Sequence, residues 1–458
     1  MRSPIWVRLP NRLTSLVEKH VPDAFVFALL ALALTAGLGL LQVRPAVIAK
    51  GFGHGFFSLL SFTLQMCLIL ILGHAIAAAA PVLALLDRLS AVPQSAKSAV
   101  VFVGFLSMVT AWLNWGFSLL FTAQLARAVA RRFAAQGRPV DYRALAAASL
   151  LGLGSIWAQG LSGSAALQMA TPSALPPGLV GVHIPLSQTI FLWQSIVSVF
   201  IEVVALSGFL YLIAPTGSAC VTAEALGISL LEPEPPNLVS PDAAPRLARL
   251  EHSRLLLWPF LALGAVHIVE SFRSAETVLG AISLNLLILV LFLLAAWLYR
   301  TPALLERAVL LATPAVGGVI LQFPFYGGIA GILAVTGLNE RLAGFFVGLA
   351  SQTTLPPLIA AYSALLGVFV PSGGGKWVIE APYVLAAAAR LGCHTGWMVA
   401  TYDLGEALAN LIQPFWMVPV LGLWKLKVRD VMGYTFVVFL FLCPVVLGLT
   451  YFLGKTLL

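Results

Sequence analysis

Charge is scarce in this chain. Asp, Glu, Lys and Arg make up only 10% of its 458 residues, against about 25% in a soluble domain. Apolar residues make up 60%, and the mean hydropathy is +0.97. The near-chargeless runs are long: Ala24 to Leu41 is one, Asn285 to Tyr299 lies in another, and Val431 to Gly454 is a third. Runs of about 18 residues or more can cross hydrocarbon, so the class is an all-α polytopic membrane protein. Arg2, Arg8, Arg12 and Lys19 precede the first run as they would in a secretion signal. The run exceeds the roughly 7–15 residues of a signal core and reads as an uncleaved span.

Other absences narrow the function. Cys67, Cys220, Cys393 and Cys443 show no metal-ligand spacing, which argues against a zinc site or a disulfide framework. The chain has no His-Glu-x-x-His pair, no nucleotide-binding loop and no evident catalytic dyad. Its soluble stretches are too short for a catalytic or receptor domain. A membrane-embedded enzyme is therefore the weaker alternative, and neither a metal nor a cofactor is expected. The net charge of +8 is explained by basic loops that set membrane orientation and does not call for nucleic acid. Lipid is the expected surrounding.

Two apolar stretches break at glycine. One contains Leu113-Asn114-Trp115-Gly116; the other contains Val370-Pro371-Ser372-Gly373-Gly374-Gly375-Lys376-Trp377. Hydrocarbon has no water to satisfy a freed amide, so an unwound backbone at that depth must lie in protein or line a polar cavity. Gly- or Pro-interrupted segments at matching places in two halves point to a transporter's substrate site.

The apolar pattern places spans at about 23–42, 55–80, 144–171, 186–213, 254–272, 277–299, 308–336, 395–421 and 431–454. That gives about nine transmembrane helices. Segments of about 97–127 and 356–390 read as re-entrant hairpins, each with its break at the centre. With the N-terminus inside, most of the 26 basic residues fall on the cytoplasmic side, as the positive-inside rule requires. Reading either hairpin as a full span weakens that bias. Leu64-Gln65 and Leu321-Gln322 both precede a hairpin, and the same offset sets Asn114 on Pro371 and Gly116 on Gly373. The expected organisation is two inverted repeats. Residues 1–213 form the first, with an inward-opening hairpin, and 273–458 the second, with an outward-opening one. Residues 214–272 form a cytoplasmic linker and connecting span. Glu232-Pro233-Glu234-Pro235-Pro236 cannot lie inside a helix, so the linker reads as flexible.

The candidate site follows from these breaks. Glycines at Gly373, Gly374 and Gly375 let a ligand approach bare amides, and a helix starting near Lys376 points its positive dipole end at an anion. The competing reading is a simple tight turn. Asn114 and Gly116 offer an amide and open backbone at the other tip, although Asn114 also suits a helix cap. Ser162, Gly163, Ser164 and Thr171 interrupt the next span and can coordinate a cation or substrate oxygens, or merely pack helices closely. Asp403, Glu406 and Asn410 share a helix face and lead to Gln413, a stripe that reads as polar lining or a proton relay, with hydrogen bonding between helices as the competing reading. Lys376 either serves as counter-ion to a substrate carboxylate or, four residues from Glu380, pairs with it on a helix and serves structure only. Glu202 stands alone in its span and is left outside the site.

The run from Val370 through Trp377 to Val378-Ile379-Glu380-Ala381-Pro382 resembles the short-chain fatty acid transporter family, a bacterial inner-membrane family grouped with inverted-repeat anion symporters. The likeness continues in Gln322-Phe323-Pro324-Phe325-Tyr326, Asn114-Trp115-Gly116-Phe117, Gly160 to Gly163, Ala170-Thr171-Pro172, Gly405-Glu406, Asn410 and Gln413-Pro414-Phe415-Trp416, and covers essentially the whole chain. It implies uptake of short-chain carboxylates driven by a sodium or proton gradient, with a larger carboxylate or dicarboxylate as the alternative cargo. A homodimer is compatible with it. The chain departs from the family at Lys376, usually His or Gln there, and at Glu380, usually Gln.

Overall fold

The structure, a computed structural model, describes residues 24–176, 179, 181–230, 248–275 and 277–457. The Val21-Pro22-Asp23 start and the Pro-rich stretch 232–236 lie outside the described residues. Every regular element among the described residues is helical, the only open-ended structure that satisfies its own backbone in lipid. Six helical stretches among them are long and apolar enough to cross a membrane: Pro45–Ala77, Ala96–Leu113, Trp193–Ile213, Arg254–Ser274, Pro302–Thr336 and Val428–Leu457.

The elements run in two parallel series. The first comprises α1 (Ala24–Leu40), a rod made of α2 (Pro45–Ser58) and α3 (Leu60–Ala77), and α4 (Ala80–Leu89). It continues with α5 (Ala96–Leu113), α6 (Trp115–Ala135), the pieces α7 (Tyr142–Ser149), α8 (Leu151–Gly154) and α9 (Ser164–Ala170), and α10 (Trp193–Ile213). After α11 (Trp258–Ser274) the series recurs. It comprises α12 (Leu284–Tyr299), a rod of α13 (Pro302–Ala312) and α14 (Gly317–Thr336), α15 (Leu338–Leu349), α16 (Leu355–Phe369), α17 (Gly373–Leu391), the pieces α18 (Thr395–Ala409) and α19 (Val418–Trp424), and α20 (Val428–Gly454).

The chain reverses at both breaks. Thr110 donates to Ser118 Oγ at 2.9 Å, and Ser118 donates to the Ser107 carbonyl at 2.9 Å. Eight residues of continuous helix would separate the first pair by about 12 Å. Tyr362 and Tyr383 meet at 3.0 Å between their hydroxyls across the second break. The arms are longer than half-helices: α5 has 18 residues and α6 has 21.

The rod α2–α3 begins about ten residues before the expected span. Gly51, Gly53 and Gly55, with Lys50 and His54, dilute the apolar signal there. Tertiary packing supplies what the local sequence lacks. A Cβ on Gly55 would lie 2.2 Å from the Gly327 carbonyl oxygen, and one on Gly331 would lie 2.2 Å from that of Gly51. Here α2 and α14 meet backbone to backbone, the small-residue contact that replaces hydrophobic driving force in lipid. A first-series helix is thereby locked to a second-series one.

The linker is anchored at its start. Asp141 caps α7, accepting from the amides of Arg143 at 3.1 Å and Ala144 at 2.9 Å, and its other oxygen accepts from the Val221 amide at 3.0 Å. Tyr142 donates its amide to the Val221 carbonyl at 2.9 Å. The expectation of a flexible linker throughout therefore fails for this part, because a buried carboxylate holds it. By contrast, α11 buries only Gly264, and Leu263 is 73% and Val266 60% exposed. Such a helix belongs against lipid.

Candidate functional site

Both tips are helix starts capped by their own residue. Asn114 Oδ1 accepts from the Phe117 amide at 2.8 Å, and Ser372 Oγ from the Gly375 amide at 3.2 Å. Asn114 is therefore equivalent to Ser372, one residue beyond the Pro371 expected from the sequence offset. Pro371 has no side-chain acceptor to cap a helix, and the Ser372 hydroxyl after it does. The first-turn amides of Gly116, Gly373 and Gly374 donate to no acceptor among the described residues, and all three residues are buried. The four orphan amides of a helix start carry partial positive charge.

The carbonyls of the second tip are held from outside. Trp416 Nε1 donates to Pro371 at 3.0 Å, Tyr402 Oη to Gly373 at 2.6 Å and Gln168 Nε2 to Gly374 at 2.9 Å. Three separate elements thus fix the unwound backbone. At the first tip the Trp115 amide donates to Ser162 Oγ at 2.9 Å, and the Leu161 amide to the Trp112 carbonyl at 2.7 Å. The tips meet through aromatic rings. Trp115 packs edge-on against Trp416 at 5.1 Å and Trp157 at 6.2 Å between centroids, and a Cβ on Gly373 would lie 2.7 Å from the Trp157 ring. The indole N–H groups of Trp115 and Trp157 are buried and have no acceptor.

Glycine at the tips answers a steric need. A Cβ on Gly374 would stand 2.7 Å from Phe62 and 3.0 Å from Ser164 Cβ; one on Gly375 would stand 2.3 Å from Tyr326. The tip is closed tightly against α3, α9 and α14.

Most sequence-derived candidates come together here: Asn114, Gly116, Ser162, Gly163, Ser164, Ser372 to Lys376, Glu406, Asn410 and Gln413. Several have structural partners. Asn410 Nδ2 donates to the Leu153 carbonyl at 3.1 Å, and Gln413 donates to Asn410 at 2.8 Å while accepting from the Phe415 amide at 2.8 Å. These bonds shape the irregular stretch between α18 and α19. Thr171 stands apart: its hydroxyl accepts from the Leu284 amide at 3.2 Å and ties the end of α9 to the start of α12.

Lys376 is only 2% exposed. Its ammonium lies 2.5 Å from Glu406 Oε2 and 3.8 Å from Glu380 Oε1, and donates to the Ser363 carbonyl at 2.6 Å and hydroxyl at 2.9 Å. The principal partner is therefore Glu406 on α18, not the Glu380 expected from spacing on one helix. Two Ser363 oxygens take two of its donors and the Glu406 carboxylate stands at ion-pair distance, so in this conformation Lys376 holds the protein together. Ser363, Gln168 and Tyr402 escaped the sequence reading. Ser363 and Gln168 are polar residues in apolar runs and Tyr402 stands beside Asp403; the partner of each is a backbone carbonyl or a side chain brought in by folding.

Broken helices meeting at two buried tips, with six membrane-length helical stretches among the described residues, define a multi-pass membrane transport protein. Comparison with known proteins specifies it. A family model described as short chain fatty acid transporter matches residues 5–453. A protein of Escherichia coli (strain K12) named for short-chain fatty acid transport is 35% identical over 448 residues, covering 97% of this chain and 99% of that one. One from Haemophilus influenzae with the same name is 31% identical, again over 97% and 99%. The chain belongs to the short-chain fatty acid transporter family, whose members are transporters and not enzymes. Its fold is similar to that of the Alcanivorax borkumensis YdaH transporter, with a TM-score of 0.58 at 17% identity over 94% of this chain and 97% of that one. It is also similar to Neisseria gonorrhoeae MtrF, with a TM-score of 0.58 at 16% identity over 98% of each chain.

Proposed function

We propose that this protein imports short-chain monocarboxylates across the bacterial inner membrane by ion-coupled secondary transport. The observation that carries the reading is the pair of capped helix starts, α6 and α17, whose bare amides at Gly116, Gly373 and Gly374 sit in an apolar surrounding beside the unpaired indoles of Trp115 and Trp157. A carboxylate supplies the acceptors these donors lack, and helix N-termini favour an anion. The aromatic rings of Phe62, Trp157 and Trp416 suit a short apolar tail. Tight packing at the tips favours a small cargo over a large one.

In this reading the two series are inverted repeats. The α5–α6 hairpin enters and leaves the membrane from the inside and the α16–α17 hairpin from the outside. The N-terminus is cytoplasmic, and α11 is the unpaired crossing that inverts the second repeat. One repeat moves against the other to alternate access. Single cysteines at Glu224 and at Val182 or Glu340, in a background lacking the four native cysteines, test this topology. Labelling of Glu224 and Glu340 positions from the same face would defeat the inverted arrangement.

Uptake of labelled acetate, butyrate and acetoacetate into proteoliposomes, under separately imposed sodium and proton gradients, tests the function. Saturable uptake driven by one gradient and competed by short but not long carboxylates is expected. Uptake equal to that of protein-free vesicles for all three acids would reject the reading.

A further inference from the structure

The charges around Lys376 do not balance. Glu380, Glu406 and Asp403 are 0%, 1% and 1% exposed. With the 2%-exposed Lys376 they would sum to 1 − 3 = −2 if all were ionised. Lys376 touches Glu406 at 2.5 Å, which accounts for one carboxylate. Asp403 faces the amides of Ala165 and Ala166 that open α9, a partial positive charge, although neither of its oxygens makes a hydrogen bond among the described residues. Glu380 has no such amides beside it, and it stands farther from Lys376 than Glu406 does. Both Glu380 oxygens are buried without a hydrogen-bond partner among the described residues, and Lys376, at 3.8 Å, donates to both Ser363 oxygens and lies closer to Glu406. The charged and titratable groups facing Glu380 are Lys376 and Tyr383 on its own helix, Tyr362 on α16, and Glu406 and Tyr402 on α18. Tyr326 on α14 faces Glu406. Only Lys376 among them is a cation.

We propose that Glu380 is a proton-binding site of this transporter, loaded in the closed conformation. An isolated carboxylate in apolar surroundings is neutralised sooner than it is buried charged. A sodium ion needs several oxygens converging on it, backbone carbonyls among them. A proton needs only one oxygen. It also has a route: the Tyr383 and Tyr362 hydroxyls lie 3.0 Å apart, Tyr383 is three residues from Glu380, and Tyr362 is half-buried. Phe346 packs on both rings, with centroids 5.0 and 6.0 Å away, and holds the hydroxyls in line. Loss of the proton frees Glu380 to draw Lys376 from Glu406, which loosens α18 from the tip. The site thus deepens the transport reading by naming its coupling ion.

Two measurements separate this inference from the transport reading it rests on. The first needs no substrate. Infrared spectra of the reconstituted protein near neutral pH are expected to show a protonated-carboxyl stretch that Glu380→Gln removes. A band unchanged in Glu380→Gln overturns the proposal. Should that variant not fold, Glu380→Asp must shift the band, and an unshifted band overturns it equally. The second is transport. Counterflow of labelled butyrate at equal pH is expected to persist in Glu380→Gln, while uptake driven by a proton gradient falls to the protein-free background. Wild-type protein without counterflow would reject the transport reading and leave the infrared result standing. Counterflow-competent wild-type protein driven by sodium and indifferent to a proton gradient would overturn the inference.

Discussion

Lys376→Gln offers the sharpest test of how the second tip is held. At an effective dielectric constant of 20, Lys376 and Glu406 at 2.5 Å attract by 332/(20 × 2.5), roughly 6.6 kcal/mol, and Glu380 at 3.8 Å, once ionised, would attract by 332/(20 × 3.8), roughly 4.4 kcal/mol. The gap of about 2 kcal/mol makes Glu406 the dominant partner. Removing one member of a buried pair leaves the other uncompensated and costs about 3–5 kcal/mol. Lys376→Gln should therefore lower the midpoint of thermal unfolding in detergent by on the order of 5 °C. Glu406→Gln should be milder, because Lys376 keeps Glu380 within reach as a substitute. The double change Lys376→Gln with Glu406→Gln should recover most of the loss, because both charges leave together. Lys376→Gln with Glu380→Gln should recover less, because Glu406 stays bare. Equal recovery by the two double variants, or better recovery with Glu380→Gln, would refute the assignment of Glu406 as the partner.

Gly374→Val places a branched side chain where Phe62 and Ser164 already stand within 3.0 Å; butyrate counterflow should be lost while the protein still purifies as a folded species, and wild-type affinity would reduce the tip to a connector. Gly55→Ala drives a Cβ to 2.2 Å from the Gly327 carbonyl, a clash with backbone that no rotamer relieves, so thermal stability should drop sharply; an unchanged midpoint would show that α2 and α14 can part freely. Ser162→Ala removes the acceptor of the Trp115 amide and should destabilise by about 1–3 kcal/mol, whereas Ser162→Thr, which keeps the hydroxyl, should be close to wild type in the same unfolding measurement.

The breaks were legible because glycine, proline and asparagine mark backbone directly. An apolar run containing Asn114-Trp115-Gly116 or Pro371-Ser372-Gly373 cannot continue as plain helix without a reason, and both became capped helix starts. What joins the breaks was not legible. Spacing exposes partners on the same helix, so Lys376 pointed to Glu380; Glu406 is carried in by α18, which folding alone sets beside α17. Gln168, Tyr402 and Trp416 donate to carbonyls, and every residue has a carbonyl, so nothing in the sequence distinguishes those acceptors. The start of α2 was missed for a related reason. Its glycines weaken local helix propensity, and only contact with α14 explains them. Thr171 was grouped with the site because hydroxyls near a break look like ligands, yet its partner is the first amide of α12.

The glycine joint of α2 and α14 has one more consequence. Two surfaces meeting through side chains can creep past one another, each rotamer change absorbing a little of the step. Gly51, Gly55, Gly327 and Gly331 have no side chains to rearrange, and their carbonyl oxygens sit where a Cβ would be. Such a contact has no intermediate settings: it is seated or it is apart. The joint therefore behaves as a keyed bearing, a fixed frame of reference within the lipid, and the displacements that expose the tips to one side or the other must be taken up by the elements that face them through rings and long side chains.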